Sequence, residues 1–418
     1  MSKLEELIQQ YCPDGVEYKP LGEVCDFRNG FAFKSDLFTD DGCPIIRITN
    51  ISENNVDMSD LKFFHMEDYP KTNLSQFAIK KGDILVAMSG ATTGKIGTYK
   101  GDITAYLNQR TGKFEPKECL NNRFLYHFLL TQVSNMYRMA GGGAQPNLSS
   151  NDLKSKITIP VPPLPVQEEI VRILDNFAEL QAELQAELQA ELQKRLIQYN
   201  YYRDNLLSFE GKTDVEWKKL GEIATLIRGG NFQKKDFTDS GVPCIHYGQI
   251  YTHFGIHTTS TIKYISPEVA SKSKIAKTND IVMAITSENV DDIGKCVAWL
   301  GDEDIAVSGH TAIIQHKQNA KYLSYYFHTS HFFTQKKKLA HGTKVIEISP
   351  KALADVLVPI PPLPVQEEIV RILDNFAELQ AELQAELQAE LQKRLQQYEY
   401  YRDKLLSFSD LSNWGGRK

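Results

Sequence analysis

From Val166 to Leu207 apolar residues recur at helical spacing with no glycine or proline among them: Ile170, Ile173, Leu174, Phe177, Leu180, Leu184, Leu188, Leu192, Leu196 and Tyr199. Such spacing predicts one continuous amphipathic helix whose apolar stripe needs a partner. Pro165 stands near its first turn, with Glu168 and Glu169 beside the positive end of the dipole, and both features are start signals. The pattern returns further along. Pro162 to Leu196, PPLPVQEEIVRILDNFAELQAELQAELQAELQKRL, recurs unchanged as Pro361 to Leu395, an offset of 199. The second copy is the obvious partner of the first. The 42 residues from Val166 to Leu207 would span about 63 Å as a helix.

Each helix carries the tetrapeptide AELQ four times, Ala178 to Gln193 and Ala377 to Gln392. Four residues turn about 400°, so the leucine stripe drifts about 40° per unit and winds around the helix. Each unit adds about 6 Å. Leu180, Leu184, Leu188 and Leu192, with Leu379, Leu383, Leu387 and Leu391, are the expected helix-to-helix packing residues. All four residue types favour helix, so a unit can be gained or lost without breaking it. A plain spacer is compatible with this, since spacer length is itself a usable property.

Between the helices the pattern is one of short apolar runs and turns. Ile45 to Ile51, Asp83 to Met88, Lys95 to Lys100 and the KITIPV run read as strands, and Arg123 to Met139 reads as an amphipathic helix. The second half repeats the order with Asp280 to Thr286, Lys295 to Leu300 and Lys321 to Leu339. The repeat is visible in residues too. EYKPLGEV at Glu17 matches EWKKLGEI at Glu216, FTDDGCPII at Phe38 matches FTDSGVPCI at Phe237, and GKIGTYKGD at Gly94 matches GKCVAWLGD at Gly294. The ends match as KITIPVPPLP at Lys156 and DVLVPIPPLP at Asp355. The expected architecture is α/β: two mixed α/β domains alternating with two long antiparallel coiled-coil helices, a pseudo-twofold tandem repeat. Expected boundaries are 1–160, 161–210, 211–358 and 359–418. SKLEELIQQY at the start stands where DNLLSF at Asp204 stands before the second domain, and the closing DKLLSFSDLSNW is free to approach the amino terminus.

Two identical helices fit one repeated partner contact, whereas two unequal domains fit two different targets. Duplication of the helix alone is the plainer alternative.

Composition is that of a soluble globular chain, 42% apolar and 24% charged. No run of about 18 apolar residues and no apolar leader is present, so a cytoplasmic location is expected. Cys12, Cys25, Cys43, Cys119, Cys244 and Cys296 form no CxxC pair and read as reduced thiols. The net charge of -6 is unevenly spread. Residues 218–358 carry 17 Lys+Arg against 13 Asp+Glu (+4) and residues 21–159 carry 16 against 15 (+1). The helical segments 160–210 (4 against 9) and 359–418 (7 against 10) hold the acid.

No catalytic constellation stands out. SGATTGKIG at Ser89 is one residue short between its glycines for a phosphate loop, and Ile96 stands where Ser or Thr would hold magnesium. A Gly-rich turn between strands is the better reading. His253 and His257 are four apart, but Gly255 intervenes and no acidic third ligand is near, so no metal is expected. What remains suits nucleic acid: Arg28, Asn29, Arg47, Thr49, Asn50, Thr92, Thr93, Lys95, Asn108, Gln109 and Arg110 in the first half. The second half offers Arg228, Lys234, Lys235, His246, Tyr247, Gln249, Lys295, the cluster Lys336, Lys337 and Lys338, and Lys344. Arg suits guanine, Asn and Gln suit adenine, and Lys suits phosphate. A coiled-coil scaffold with two protein-binding domains, or a nucleotide hydrolase on Gly90 to Lys95, would be the competing classes.

The SGATTGKIG turn, the IPVPPLPVQEEIVRILD helix entry, the four-residue AEL-type repeats and the KRLIQYNYYRDNLLSF exit together resemble the specificity subunits of type I restriction-modification systems. Four AELQ units in both helices, rather than in the central one alone, depart from the subgroup's pattern. The resemblance covers essentially the whole chain and implies two target recognition domains, each reading one half of an asymmetric bipartite DNA site. It further implies helices that set the distance between the halves and bind two methyltransferase subunits, with two restriction subunits completing the assembly. The chain itself would be non-catalytic, with S-adenosylmethionine, ATP and magnesium belonging to those partners.

Overall fold

The computed structural model describes residues 2–52, 54–141, 146–209, 211 and 215–408. The expected helices are there, Leu164–Ser208 and Leu363–Leu405. The chain divides into two compact units: Met1–Ala186 with Ala389–Lys418, and Glu187–Gln388. Both long helices therefore contribute to both units.

In unit 1 a mixed four-stranded sheet runs Lys62–Phe64, Cys43–Ile46, Ala105–Leu107, Ala78–Ile79, with Ala105–Leu107 parallel to Cys43–Ile46. An antiparallel four-stranded sheet runs Cys25–Asn29, Thr111–Pro116, Ile84–Ala87, Ile96–Thr98. Unit 2 repeats both as five-stranded sheets, the extra strands being His257–Thr258 and Phe237–Thr238. A two-stranded clasp closes each domain, Tyr18–Pro20 on Thr158–Pro160 and Glu216–Lys219 on Leu357–Ile360. The run Ile45 to Ile51 is not one strand: it stops at Ile46 and turns through a 3-10 segment, Ile48–Asn50, before Ile51–Ser52. Each amphipathic helix is likewise two, Asn122–Thr131 with Val133–Met139 and Ala320–Tyr326 with Ser330–Leu339.

Each unit's core joins its domain to the helices. In unit 1, Val166, Ile170 and Leu174 from the first helix, Tyr398 from the second and Leu406 just past its end pack with Leu129 and Ile159. In unit 2, Ile369, Val370 and Leu373 meet Leu207, Leu323 and Val358. Phe177 stacks on Tyr401 at 5.8 Å in one unit and Tyr202 on Phe376 at 5.5 Å in the other. In each unit the beginning of one helix thus lies beside the end of the other, the antiparallel pairing expected.

Leu184, Leu188, Leu192, Leu383, Leu387 and Leu391 are half-buried. Leu180 and Leu379 are not packing residues: each is 63% exposed. The 40° drift explains them. At that level in unit 1, Ala178, Gln181 and Gln185 face the groove beside Leu395 and Tyr398 instead.

The polar joints are duplicated with the core. Gln167 is fully buried; its Oε1 accepts the Asn121 N–H at 2.8 Å, and its Nε2 donates to the carbonyls of Cys119 at 2.9 Å and Pro162 at 2.7 Å. Gln366 repeats this, accepting from Asn319 N at 3.0 Å and donating to Gln318 Oε1 and Pro361 O, both at 2.8 Å. Asn121 and Asn319 in turn cap the next helix. About two turns further on, Asp175 takes Arg123 and the buried His127, whose Nε2 lies 2.8 Å away, while Tyr398 reaches His127 Nδ1 at 3.3 Å. In unit 2 Asp374 takes Lys321 and the Tyr325 hydroxyl at 2.7 Å. Burial pulls Asp175 upward, but the hydrogen bonds from His127 and Arg123 outweigh it and hold the carboxyl at about 2.

The second helix ends on the first domain: the Tyr18 hydroxyl bonds both N–H and C=O of Phe408, at 3.1 Å each. Leu406 and Phe408, rather than the amino-terminal helix, therefore take the place in unit 1 that Leu207 and Phe209 hold in unit 2. The amino-terminal helix, Lys3–Tyr11, is an addition that packs Leu4, Leu7 and Ile8 into the same core and sets Lys3 on Glu169 at 3.0 Å. Ser409 to Trp414 lie outside the described residues.

Gln167→Leu would strand three buried backbone groups, each costing roughly 1–3 kcal/mol. Denaturant unfolding of the full chain should register a loss of a few kcal/mol, and Glu168→Ala on the exposed face should lose less than about 0.5 kcal/mol. Equal losses from both would contradict the assigned role.

Candidate nucleic-acid interface

The loops rich in Arg, Asn, Thr and Lys converge at one end of the paired sheets in unit 1. The strand Cys25–Asn29 runs into Gly30, whose N–H bonds Thr111 O at 2.9 Å, and Phe31 N bonds Leu107 O at 2.9 Å. A Cβ on Gly30 would lie 1.9 Å from Asn108 O, so only glycine lets this loop lie against the Asn108–Thr111 turn. The 3-10 turn after Arg47 joins the cluster through Thr92, whose hydroxyl donates to Ile48 O at 3.1 Å. SGATTGKIG is a turn between two strands, with Gly94 N returning to Ala87 O at 2.8 Å and Ile96–Thr98 following as a strand. A phosphate loop leads into a helix, and this turn does not.

Not every candidate reaches the surface. Asn50 is 2% exposed: its Oδ1 accepts Arg47 N at 3.0 Å, and its amide donates to Asp57 O at 3.2 Å and Asp60 O at 2.9 Å. Thr93 is buried with its hydroxyl on Gly90 O at 2.7 Å. These two hold loops in shape. Arg28 is gripped by Glu115 at 3.0 Å and Arg47 by Asp60 at 3.2 Å. Asn29, Thr49, Gln109 and Arg110 are exposed, Asn108, Thr92 and Lys95 half-buried.

Unit 2 builds the same frame from different residues. Gly229 N bonds Thr311 O at 2.9 Å, and a Cβ there would lie 2.0 Å from Ser308 O. Gln249 repeats Asn50: buried, its Oε1 accepts His246 N at 2.8 Å. Tyr247 N bonds Ser308 Oγ at 3.0 Å, and its ring meets His310 at 5.0 Å. Asn231, Gln233, Lys234, His246, Tyr247 and His310 line an open recess of about 610 Å³. Arg228 donates to Gly309 O at 3.2 Å and pairs with Glu347 at 2.9 Å. Lys344 sits exposed in the turn that His341 and Glu347 close, and Lys235 is exposed beside Lys234. Lys295 pairs with Asp292 at 2.6 Å. The lysine cluster is split: Lys337 and Lys338 are exposed, but Lys336 is buried and donates to the carbonyls of Asp291 and Ile293, with burial lowering it to about 8. His253 ends a helix and His257 lies in a strand, so their spacing of four is not a helical face.

Sequence reasoning passed over Ser308-Gly309-His310, the counterpart of Asn108-Gln109-Arg110. Extending the repeat with an offset of 200, which the match of Gly94 to Gly294 already requires, aligns them. Among the described residues no group of three or more His, Cys, Asp or Glu could hold a metal ion, and no helix is long and apolar enough to cross a membrane.

A family model described as the type I restriction modification DNA specificity domain matches the chain twice, over residues 13–194 and 212–393. A putative type I restriction enzyme specificity subunit of Haemophilus influenzae is 30% identical over 403 residues, 94% of this chain and 96% of its own. The EcoR124I/EcoR124II specificity subunit of Escherichia coli is 35% identical over 301 residues, 68% of this chain and 70% of its own. Among solved structures, a chain from work on complex assembly and conformational transition of the type I R-M system is similar with a TM-score of 0.70 at 18% identity, covering 94% of this chain and 97% of that one. The HsdS subunit of Thermoanaerobacter tengcongensis gives 0.53 at 19% identity with the same coverage. At these identities the structural likeness speaks to the fold.

Burial holds His246, His316 and His328 at about 4, with Lys234 and His310 adding to the effect on His246. In the unfolded chain these side chains take up protons near 6.5. Between the two values the unfolded state binds more protons, so stability is lost as pH falls through that window. Trp217 and Trp299 both lie in unit 2. Fluorescence-detected melting should therefore shift several degrees downward between pH 7 and pH 5. An unchanged or higher midpoint at pH 5 would count against neutral, buried histidines.

Proposed function

We propose, from the premise that this chain belongs to the type I restriction-modification DNA specificity family, that it reads an asymmetric two-part DNA site, one half per domain. The carrying observation is the pair of loop frames: the same backbone bonds at Gly30 and Gly229 and at Thr111 and Thr311, with different side chains on top. Residues 1–160 and 211–358 act as the target recognition domains, and 161–210 and 359–418 as helices that fix the distance between the half-sites. Arg28, Asn29, Arg47, Thr49, Thr92, Lys95, Asn108, Gln109 and Arg110 face one half-site. Arg228, Lys234, Lys235, Tyr247, Lys295 and Lys344 face the other, with Lys337 on the flanking phosphates; His246, 5% exposed with its Nδ1 accepting Gly248 N at 3.2 Å, holds its loop instead.

The helices also recruit two copies of one methyltransferase subunit. Their equivalent exposed apolar residues support this: Tyr201 is 65% and Tyr400 63% exposed, and Tyr202 and Tyr401 are each 38% exposed. Two restriction subunits complete the enzyme. The chain is non-catalytic in this account, with S-adenosylmethionine, ATP and magnesium on those partners. Shared neutralisation of phosphate by the partners accommodates the net charge of -6. A scaffold with two protein-binding domains finds no support, since the family match spans both domains.

Removing one AELQ unit from the first helix shortens it by about 6 Å, close to two base-pair steps of roughly 3.4 Å. Sequencing of methylated bases in a host expressing the variant system should give both half-sites unchanged with a spacer altered by roughly one or two base pairs. An unaltered spacer would remove the helices as rulers. Exchange of residues 211–358 for the corresponding domain of another member should replace one half-site and leave the other intact. Change in both halves would sink the modular reading.

A further inference from the structure

We infer that Arg110 reads a guanine in the half-site taken by unit 1, an assignment that rests on the DNA-reading role proposed above and adds to it a residue and a base. Arg110 stands at the tip of the turn from Asn108 to Thr111. Thr111 closes that turn onto Asn108 O through its N–H at 3.2 Å and through its hydroxyl, and Asn108 Oδ1 accepts Gln109 N at 2.8 Å. From outside, Ile46 O accepts Asn108 N at 3.0 Å and Arg110 O accepts Met88 N at 2.7 Å. The tip is thus fixed to both sheets.

Arg110 has φ +66°, a left-handed conformation that a side chain other than glycine adopts at a cost. The equivalent residue in unit 2, His310, is not left-handed, although Thr311 closes its turn through the same two bonds to Ser308. The same two closing bonds form without a left-handed residue in unit 2, so the conformation is particular to this turn. Strain held at an exposed tip is what a positioned reading group would show.

Its neighbours explain why this arginine is the available one. Both Nε and Nη2 of Arg28 are taken by Glu115, and Arg47 is drawn onto Asp60. The Arg110 side chain is exposed and has no ion pair or hydrogen bond among the described residues. Its full fork of donors is presented to solvent at the loop cluster. A guanidinium fork matches O6 and N7 of guanine in the major groove, which adenine, with a donor in place of O6, does not offer. His310, its Nδ1 bonded at 3.2 Å to Thr286 Oγ1, has no such fork, so the two equivalent positions present different chemistry.

Methylated-base sequencing of hosts expressing the wild type, Arg110→Gly and Arg110→Lys systems tests the assignment. Glycine relieves the backbone at this position, so Arg110→Gly should melt no lower than the wild type. The expected result is a guanine, in the half-site that survives exchange of residues 211–358, that becomes degenerate in both variants. Discrimination there should fall roughly ten- to hundred-fold with every other position retained. An unchanged motif in both variants overturns the assignment. So does uniformly reduced methylation with the motif intact, the mark of a phosphate contact. A wild type with no two-part motif overturns this assignment together with the function it rests on, and only that result does.

Discussion

A glutamine without access to water fixes each long helix to its domain, and the rest of the molecule depends on that joint. Gln167 and Gln366 satisfy backbone groups from the preceding proline turn and from the cap of a helix earlier in the domain. A buried amide bonded at both ends specifies orientation as well as contact, because any rotation of the helix leaves polar groups unpaired. The motif PPLPVQEE is repeated without change, and the glutamine gives a physical reason for part of it: the prolines shape the turn whose carbonyl accepts the glutamine's N–H. The ruler proposed for the helices would need its ends clamped, and these joints would do it.

The domains obey a second constraint. Their loop ends are tied by bonds that recur in both units, while the residues at the tips differ. Asn50 and Gln249 show the division well: both are buried, both hold the backbone N–H at the start of the same turn, and neither is free to meet a ligand. The frame is maintained by polar residues facing inward, and the outward residues are left to vary. Two unequal surfaces on one scaffold follow without any change of fold.

The large features were legible because they rest on periodicity. The identical segments, the absence of glycine and proline from the helix and the placement of Pro165 sufficed for Leu164–Ser208 and its partner. Residue type alone did not reveal side-chain direction. Asn50, Thr93, Gln249 and Lys336 have the chemistry of nucleic-acid contacts and turn inward, where each is hydrogen-bonded to backbone groups. Leu180 and Leu379 have the chemistry of a core and face solvent, since a period of four carries them off the packing face. The Gly30 and Gly229 approaches, which define the loop clusters, depend on contacts about 80 residues away in the chain and leave no local signal.

In the function proposed above, one chain reads two different segments of DNA held a set distance apart. Sequencing of methylated bases in a host carrying the wild-type chain with its methyltransferase tests it most directly. The expected result is a single asymmetric motif made of two unlike specified segments separated by a constant number of unspecified base pairs. One uninterrupted motif, or two identical segments, would contradict it.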